Sequence, residues 1–168
     1  MSRSRDEAAR HRLLRYAEFE FRTLRDAREL AAELSGLCPD PERVGLGLLE
    51  LMINAIEHGN LEISFGEKSR LCCLDTWEEE VERRLSAPNF AGRFGRVRVT
   101  RTDDGISFVV SDQGPGFDWE KYLDFDAAHA LLPNGRGIAL ARRFAFADLS
   151  YQAPGNVVTA KVKLEGPP

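Results

Sequence analysis

The first apolar pattern of the chain predicts a strand followed by a helix. Residues 16–23 alternate apolar and polar positions, as in a strand with one buried face. Thr23 and Asp26 then have the spacing of a capping box, which opens a helix, and Gly36 is placed to end it. The side chains expected to face the core are Ala17, Phe19 and Phe21 in the strand and Leu24, Ala27, Leu30, Ala31 and Leu34 in the helix.

The next apolar stretch predicts a second helix from about Pro41 to His58. Asp40 is a good N-cap residue, and proline is well tolerated in the first helical turn. The pair Gly59-Asn60 predicts the end of this helix.

Four polar residues interrupt the second helix on one side. At 3.6 residues per turn, Glu50, Asn54, Glu57 and His58 fall within roughly a quarter of its circumference. A solvated helix face is one interpretation. Asn and His are poor helix formers, however, so the alternative is a stripe that faces a ligand. The apolar residues expected on the other side are Leu49, Met52, Ile53 and Ile56.

Residues 66–90 read as a helical insertion. Trp77, Val81 and Leu85 recur at helical spacing between charged residues. Both a packing helix and a binding surface fit this pattern.

Two hairpins and a third helix complete the predicted elements. Residues 96–101 and 106–112 flank a turn, and a second hairpin ends in a strand at 157–164. A helix is predicted at 137–146. The pattern indicates an α/β fold, a two-layer α/β sandwich whose mixed, mostly antiparallel sheet is covered on one face by helices. We expect one domain over 1–168, with its core at about 16–164.

Composition excludes several classes of function. With 23 Lys and Arg against 27 Asp and Glu, the 168-residue chain has a formal net charge of -4, which argues against nucleic acid or an anionic membrane as a partner. Its three cysteines, Cys38, Cys72 and Cys73, lack the spacing of a zinc site. A reduced, cytoplasmic setting is expected from this cysteine usage. Neither a leader peptide nor a membrane span is evident.

Residues 109–118 join an apolar strand to a glycine-containing loop. Asp112 stands where the strand ends, and Gly114 and Gly116 follow. A carboxylate in this place can accept a hydrogen bond from an exocyclic amine, and glycines let the backbone approach a ligand. A simple Asx-type turn remains the alternative.

Residues 133–143 place two glycines around Arg136 just before the third helix. Helix N-termini present free N–H groups, so this arrangement is typical of a phosphate site. A plain glycine turn before a helix is the alternative. The spacing fits neither a P-loop nor a dinucleotide fingerprint.

Taken in order, these three segments resemble the N, G1 and G2 boxes of the GHKL ATPase superfamily, which has the Bergerat fold. The resemblance extends from about residue 16 to 164. The stretch "ELMINAIEHGN" is similar to the N box of anti-sigma-factor serine/threonine kinases of the RsbW type. Autophosphorylation on histidine is not expected, because His11 lacks the surroundings of a phospho-acceptor.

The resemblance implies a role for each matching residue. Asp112 would accept from the adenine amino group, Asn54 would bind Mg²⁺, and Glu50 would be the catalytic base. His58 is expected to be structural. The residues implied to line the nucleotide or its phosphates are Gly114, Gly116, Gly135, Arg136 and Gly137.

The resemblance also implies a function. The chain would use ATP and Mg²⁺ to phosphorylate a Ser or Thr of a small anti-anti-sigma (STAS-type) protein, and a sigma factor would be its other partner. A homodimer is compatible with this type. Two alternatives remain: a non-catalytic ATP-binding interaction module, and the ATPase domain of a longer phosphatase or response-regulator protein.

Overall fold

An antiparallel sheet forms one layer of the protein. The computed structural model describes residues 13–122 and 137–164. Within these ranges five strands form one sheet in the order β1-β2-β3-β5-β4, and each neighbouring pair is antiparallel. The strands are β1 (Tyr16–Phe21), β2 (Gly95–Arg101), β3 (Gly105–Ser111), β4 (Asp148–Gln152) and β5 (Val157–Lys163).

The register of the central strands places their apolar residues on one face. Phe108 of β3 pairs with Val99 of β2 and with Ala160 of β5, and all three side chains are fully buried. Alternating residues of these strands point away from the core, as the pleat requires. The buried face is therefore continuous across the middle of the sheet.

Helices form the second layer. The described helices are α1 (Leu24–Ser35), α2 (Pro41–Asn54), α3 (Phe65–Cys73), α4 (Trp77–Leu85) and α5 (Gly137–Leu140). Wider π-helical turns continue α2 over Ala55–Asn60 and α5 over Ala141–Ala145, and a short 3₁₀ turn spans Trp119–Tyr122. The predicted two-layer α/β sandwich is confirmed. None of the helices in the described ranges is both long enough and apolar enough to cross a lipid bilayer.

Local capping signals set the beginnings of α1 and α2. The Thr23 side chain accepts from the backbone of Asp26, and the Asp26 carboxylate accepts from the backbone of Thr23, so the predicted capping box is confirmed. Asp40 directly precedes Pro41 and caps α2. Its side chain accepts from the backbone N–H of Arg43, as expected for the start of this helix.

The end of α2 differs from the prediction of a regular helix to His58. The α-helix ends at Asn54, and the chain continues as a π turn in which the N–H of Leu61 donates to the carbonyl of Ile56, five residues earlier. A π turn accommodates an extra residue, so it shifts the angular position of every residue that follows. Glu50 and Asn54 therefore keep their predicted relation, whereas Glu57 and His58 do not.

The insertion is two helices joined by a tight turn. Val81 and Leu85 of α4 are buried in the core, as their spacing predicts. Asp75, between the helices, has a positive φ of 57°. The packing interpretation of this segment is thus supported by its buried side.

Candidate functional site

Glu50 and Asn54 lie one turn apart on α2 and contact each other. Asn54 Nδ2 donates to Glu50 Oε1 over 3.3 Å, and Asn54 is buried while Glu50 is half-buried. Because the amide nitrogen is used in this contact, the amide oxygen is left for another partner. That oxygen is the atom of an asparagine that a hard cation binds.

The Glu50 carboxylate lies against the start of α5. A Cβ atom at Gly137 would overlap this carboxylate, so the Glu50 side chain in this position leaves room only for glycine there. Burial raises the pKa of Glu50, and the positive charge of Lys68 only partly opposes this effect. A carboxylate with a raised pKa is suited to accept a proton near neutral pH.

A groove opens beside Glu50 between α2 and the helical segment that begins at Gly137. It has a volume of about 370 Å³. Three of its large apolar side chains are unusually exposed: Leu46 at 72%, Phe144 at 52% and Leu140 at 43%. Exposed apolar side chains grouped in this way commonly mark an interaction surface.

Asp112 directly follows β3 and lies against the π turn that continues α2. Its backbone N–H donates to the carbonyl of Asn156 at 3.0 Å, and its Oδ1 accepts from the N–H of Gly114 at 2.8 Å. Burial raises the pKa of Asp112 to about 6, although the Gly114 hydrogen bond and the charge of Arg93 both lower it.

Gly59 makes the position of Asp112 possible. A Cβ at Gly59 would overlap the Asp112 carboxyl group, and a Cβ at Gly114 would overlap the carbonyl of Gly59. Asn60 adds a contact, since its Oδ1 accepts from the N–H of Gln113 at 2.9 Å. Sequence reasoning treated Gly59 and Asn60 only as a helix stop, because the contact joins segments more than 50 residues apart.

The loop after Asp112 rests on the turn between β4 and β5. Gly116 has a φ of 83°, and a Cβ there would overlap the carbonyl of Pro154. Gly155 has a φ of 106° and lies as closely against Phe117. Glycine is required at both positions by conformation as well as by space.

A narrow pocket lies between α2 and this loop. The centre of a water molecule can occupy only about 20 Å³ of it. This is room for about one water molecule, which is too little for a purine ring. A lining side chain must therefore move before a purine can enter the pocket. The lining residues include Asn54, His58, Gly59, Asp112, Gly116, Phe117 and Tyr151.

A row of aromatic rings borders the pocket. His58 stacks on Phe65 of α3 with ring centroids 3.9 Å apart, and Phe65 lies 6.1 Å from Phe117. Phe117 meets Tyr151 edge to face at 5.5 Å, and Tyr151 stacks on Trp119 at 5.7 Å. The sequence motifs did not reveal Tyr151, because β4 brings it to the pocket from a distant part of the chain.

The predicted site residues therefore occupy two connected places. Asn54, Asp112 and Gly116 line the pocket, and Glu50 and Gly137 lie beside it at the groove. Gly114 supports Asp112 from the loop. Gly135 and Arg136, predicted to bind phosphates, lie outside the described residues. No cluster of three or more His, Cys, Asp or Glu residues suited to a metal ion occurs in the described ranges.

His58 has structural contacts on its ring. Its Nδ1 hydrogen-bonds with the carbonyl of Ile63, and the ring face is covered by Phe65. These contacts agree with the structural role expected for His58, although one edge of the ring also reaches the pocket.

Comparison with known proteins adds a family to this geometry. A search of the curated proteins finds no match. The family model described as "Histidine kinase-like ATPase domain" matches residues 14–162, which is most of the chain and includes every described site residue. This match supports membership of the GHKL superfamily, whose ATPase domains bind ATP. The chain belongs to the histidine kinase-like ATPase domain family.

Proposed function

We propose that this chain is an ATP-dependent serine/threonine protein kinase of the RsbW-like anti-sigma-factor type. In this proposal it transfers the γ-phosphate of Mg-ATP to a Ser or Thr of a small STAS-type partner. The observation that carries the proposal is the contact of Glu50 with both Asn54 and Gly137. This contact brings together a carboxylate of raised pKa, an amide oxygen that can bind a cation, and the start of α5.

The adenine end of the nucleotide is assigned to Asp112. Its Oδ1 already accepts from Gly114, which leaves the second carboxylate oxygen for an exocyclic amine. The close packing of Gly59 and Gly114 holds this carboxylate in place. Gly114 and Gly116 let the loop backbone approach the nucleotide.

The Asn54 amide oxygen beside Glu50 is a suitable ligand for Mg²⁺. This ion prefers oxygen ligands and is commonly held by one or two protein groups together with substrate phosphates. Asn54 would supply its amide oxygen. When bound, the ion neutralises charge on the phosphate oxygens. Gly137, and with it Gly135 and Arg136, would lie at the phosphates.

Glu50 would act on the attacking hydroxyl. Its carboxylate accepts the proton as the hydroxyl oxygen forms a bond to the γ-phosphorus. The bond from that phosphorus to the β,γ-bridging oxygen breaks, and ADP leaves with the electron pair. Glu50 then releases the proton to solvent. Burial supports this role because it raises the pKa of Glu50 toward the working pH.

The exposed groove beside Glu50 supports a protein acceptor. Leu46 is one turn before Glu50 on α2, so an apolar side chain of a partner seated there would bring a neighbouring hydroxyl toward the carboxylate. Alternate binding of a sigma factor, and a homodimer, rest on the resemblance to RsbW-type kinases alone. A cytoplasmic location is part of the same proposal.

Transfer of label from γ-labelled ATP to a candidate STAS partner tests the proposal. Wild-type protein with Mg²⁺ should label the partner, and Glu50→Gln should lower the rate by roughly 10²–10⁴, the range for a positioned general base. ATP affinity measured by calorimetry should change little, because Glu50 acts on the acceptor. Asn54→Ala should weaken Mg²⁺-dependent binding and abolish transfer.

Glu42→Gln is the matched control, because Glu42 is an exposed carboxylate in the first turn of the same helix. It should label the partner at the wild-type rate. If the wild-type protein binds ATP and the partner but transfers no phosphate, the chain is a non-catalytic ATP-binding interaction module and not a kinase. Transfer at an unchanged rate by Glu50→Gln would make Glu50 a structural residue.

A further inference from the structure

Glu57 is a fully buried carboxylate that the proposed chemistry does not use. It lies in the π turn after α2, between His58 and the pocket residue Asn54. A buried carboxylate is unfavourable unless charges and donors compensate for its lost hydration. The contacts of the Glu57 carboxylate show which segments of the chain it joins.

The partners of Glu57 come from both helices of the insertion. Lys68 of α3 forms an ion pair with Oε1, and the Trp77 indole of α4 donates to Oε2 at 2.9 Å. His58 Nε2 also lies 3.1 Å from Oε1, at ion-pair distance but outside hydrogen-bond geometry. Burial raises the pKa of Glu57, but His58 and Lys68 outweigh it and hold that pKa below its usual value.

Other contacts also attach the insertion to the core. Val81 and Leu85 bury α4 in the core, and Arg84 donates to the carbonyl of Leu61 at 2.8 Å. Apolar side chains in place of both members of a buried ion pair are often neutral or stabilising. Stability alone is therefore a weak reason for a glutamate at this position, and orientation is a stronger one.

The π turn has the insertion on one side and Asp112 on the other. Two residues after Glu57, Gly59 packs directly against the Asp112 carboxyl group. Between them, His58 lines the pocket and stacks on Phe65 of α3. The position of this turn thus sets both the wall of the pocket and the support of the carboxylate assigned to adenine.

We infer that Glu57 is a positioning residue for nucleotide recognition: by tying the π turn to Lys68 and Trp77, it holds Gly59 and Asp112 in the arrangement that selects adenine. This inference rests on the proposed role of Asp112 at the adenine. It makes the insertion part of the nucleotide site. Glu57 itself does not touch the nucleotide.

Base selectivity of the full-length chain tests the inference. Calorimetry gives the dissociation constants of Mg-ATP and Mg-GTP for wild type, Glu57→Gln and Glu57→Leu. Wild type should prefer ATP by at least about tenfold, because guanine presents a carbonyl where adenine presents an amine. Both variants should lose most of this preference, mainly through weaker ATP binding.

Glu78→Gln is the matched control. Glu78 also belongs to the insertion, but it is exposed and its carboxylate pairs with Arg28 of α1. Its ATP preference should remain that of wild type. If Glu57→Leu does not fold, Trp77→Phe removes the donor to Oε2 while keeping a ring at that position, and its preference should fall too.

The outcomes separate this inference from the proposed function. Folded Glu57 variants with a lower melting temperature but an unchanged ATP preference would overturn the inference, because that is the behaviour of a purely structural residue. A wild-type protein that binds neither nucleotide would instead overturn the proposed function.

Discussion

At the scale of single residues, Asp112 illustrates how a buried carboxylate lowers the stability of the folded protein. Its pKa is raised to about 6 by burial, although Asp usually ionises near 3.8. The folded protein therefore holds the proton more tightly than the unfolded chain does. Ionisation of Asp112 at neutral pH therefore opposes folding. In the proposed function, a ligand that donates to this carboxylate would offset that cost.

The pH dependence of stability should reveal this effect. Because the folded pKa is the higher one, Asp112 contributes stability that is fully present below about pH 3.8 and is lost as the pH rises through about 6. Relative to Asp112→Asn, the free energy of unfolding of the wild type should thus increase from pH 7 to pH 4. Urea unfolding across this range measures it, and a constant difference would contradict the raised pKa.

Some site residues could be predicted from sequence and others could not, for physical reasons. Asp112, Gly114 and Gly116 form a local motif after a strand, so their proximity follows from chain connectivity. Tyr151 reaches the pocket only through the packing of β4. Glu57 was grouped with Glu50 by a period of 3.6, which fails where the π turn begins.

At the scale of elements, the insertion is a part of the core. The side chain of Val81 is fully buried, while Leu74, in the turn between α3 and α4, is 71% exposed. The insertion thus has one side buried in the core and an exposed turn between its two helices. Removal of atoms from the buried side should affect the whole fold.

Val81→Ala should lower the free energy of unfolding by about 2 kcal/mol, because it leaves a cavity under α4. Leu74→Ala is the control and should change it by less than about 0.5 kcal/mol, as for other exposed positions. Urea unfolding followed by circular dichroism measures both. Equal effects of the two substitutions would show that α4 is only loosely attached in solution.

Elements with local signals were predicted well. The capping box at Thr23, the N-cap at Asp40 and both hairpins depend on residues close in sequence, and all are present in the structure. The order of strands in the sheet depends on packing between distant segments. The pairing of β3 with β5 therefore could not be read from any one stretch of the chain.

At the scale of the whole molecule, the sheet and helix layers meet at the pocket. Strands β3, β4 and β5 supply Val110, Tyr151 and Val158, and α2 supplies Leu51 and Asn54. A nucleotide bound there would contact both layers. Binding should therefore oppose global unfolding and leave no large part of the described fold unaffected.

Mg-ATP at about 100 times its dissociation constant should stabilise the folded state by about 2.7 kcal/mol. For a chain of this size that corresponds to a rise in melting temperature of roughly 5–10 °C. Asp112→Asn should lose most of the rise, whereas Asp103→Asn, at an exposed turn, should keep it. A wild-type protein unaffected by millimolar Mg-ATP in differential scanning calorimetry would contradict ATP binding.

The two tryptophans lie on different sides of this pocket. Trp77 donates to the buried Glu57 in the insertion, and Trp119 stacks on Tyr151 beside the glycine loop. Since the sequence contains only these two, the protein carries one tryptophan fluorophore in the insertion and one beside the glycine loop. In Trp119→Phe, emission would come from the insertion side alone. Comparison of the intrinsic tryptophan fluorescence of the wild type and this variant can thereby distinguish motion of the loop from motion of the insertion.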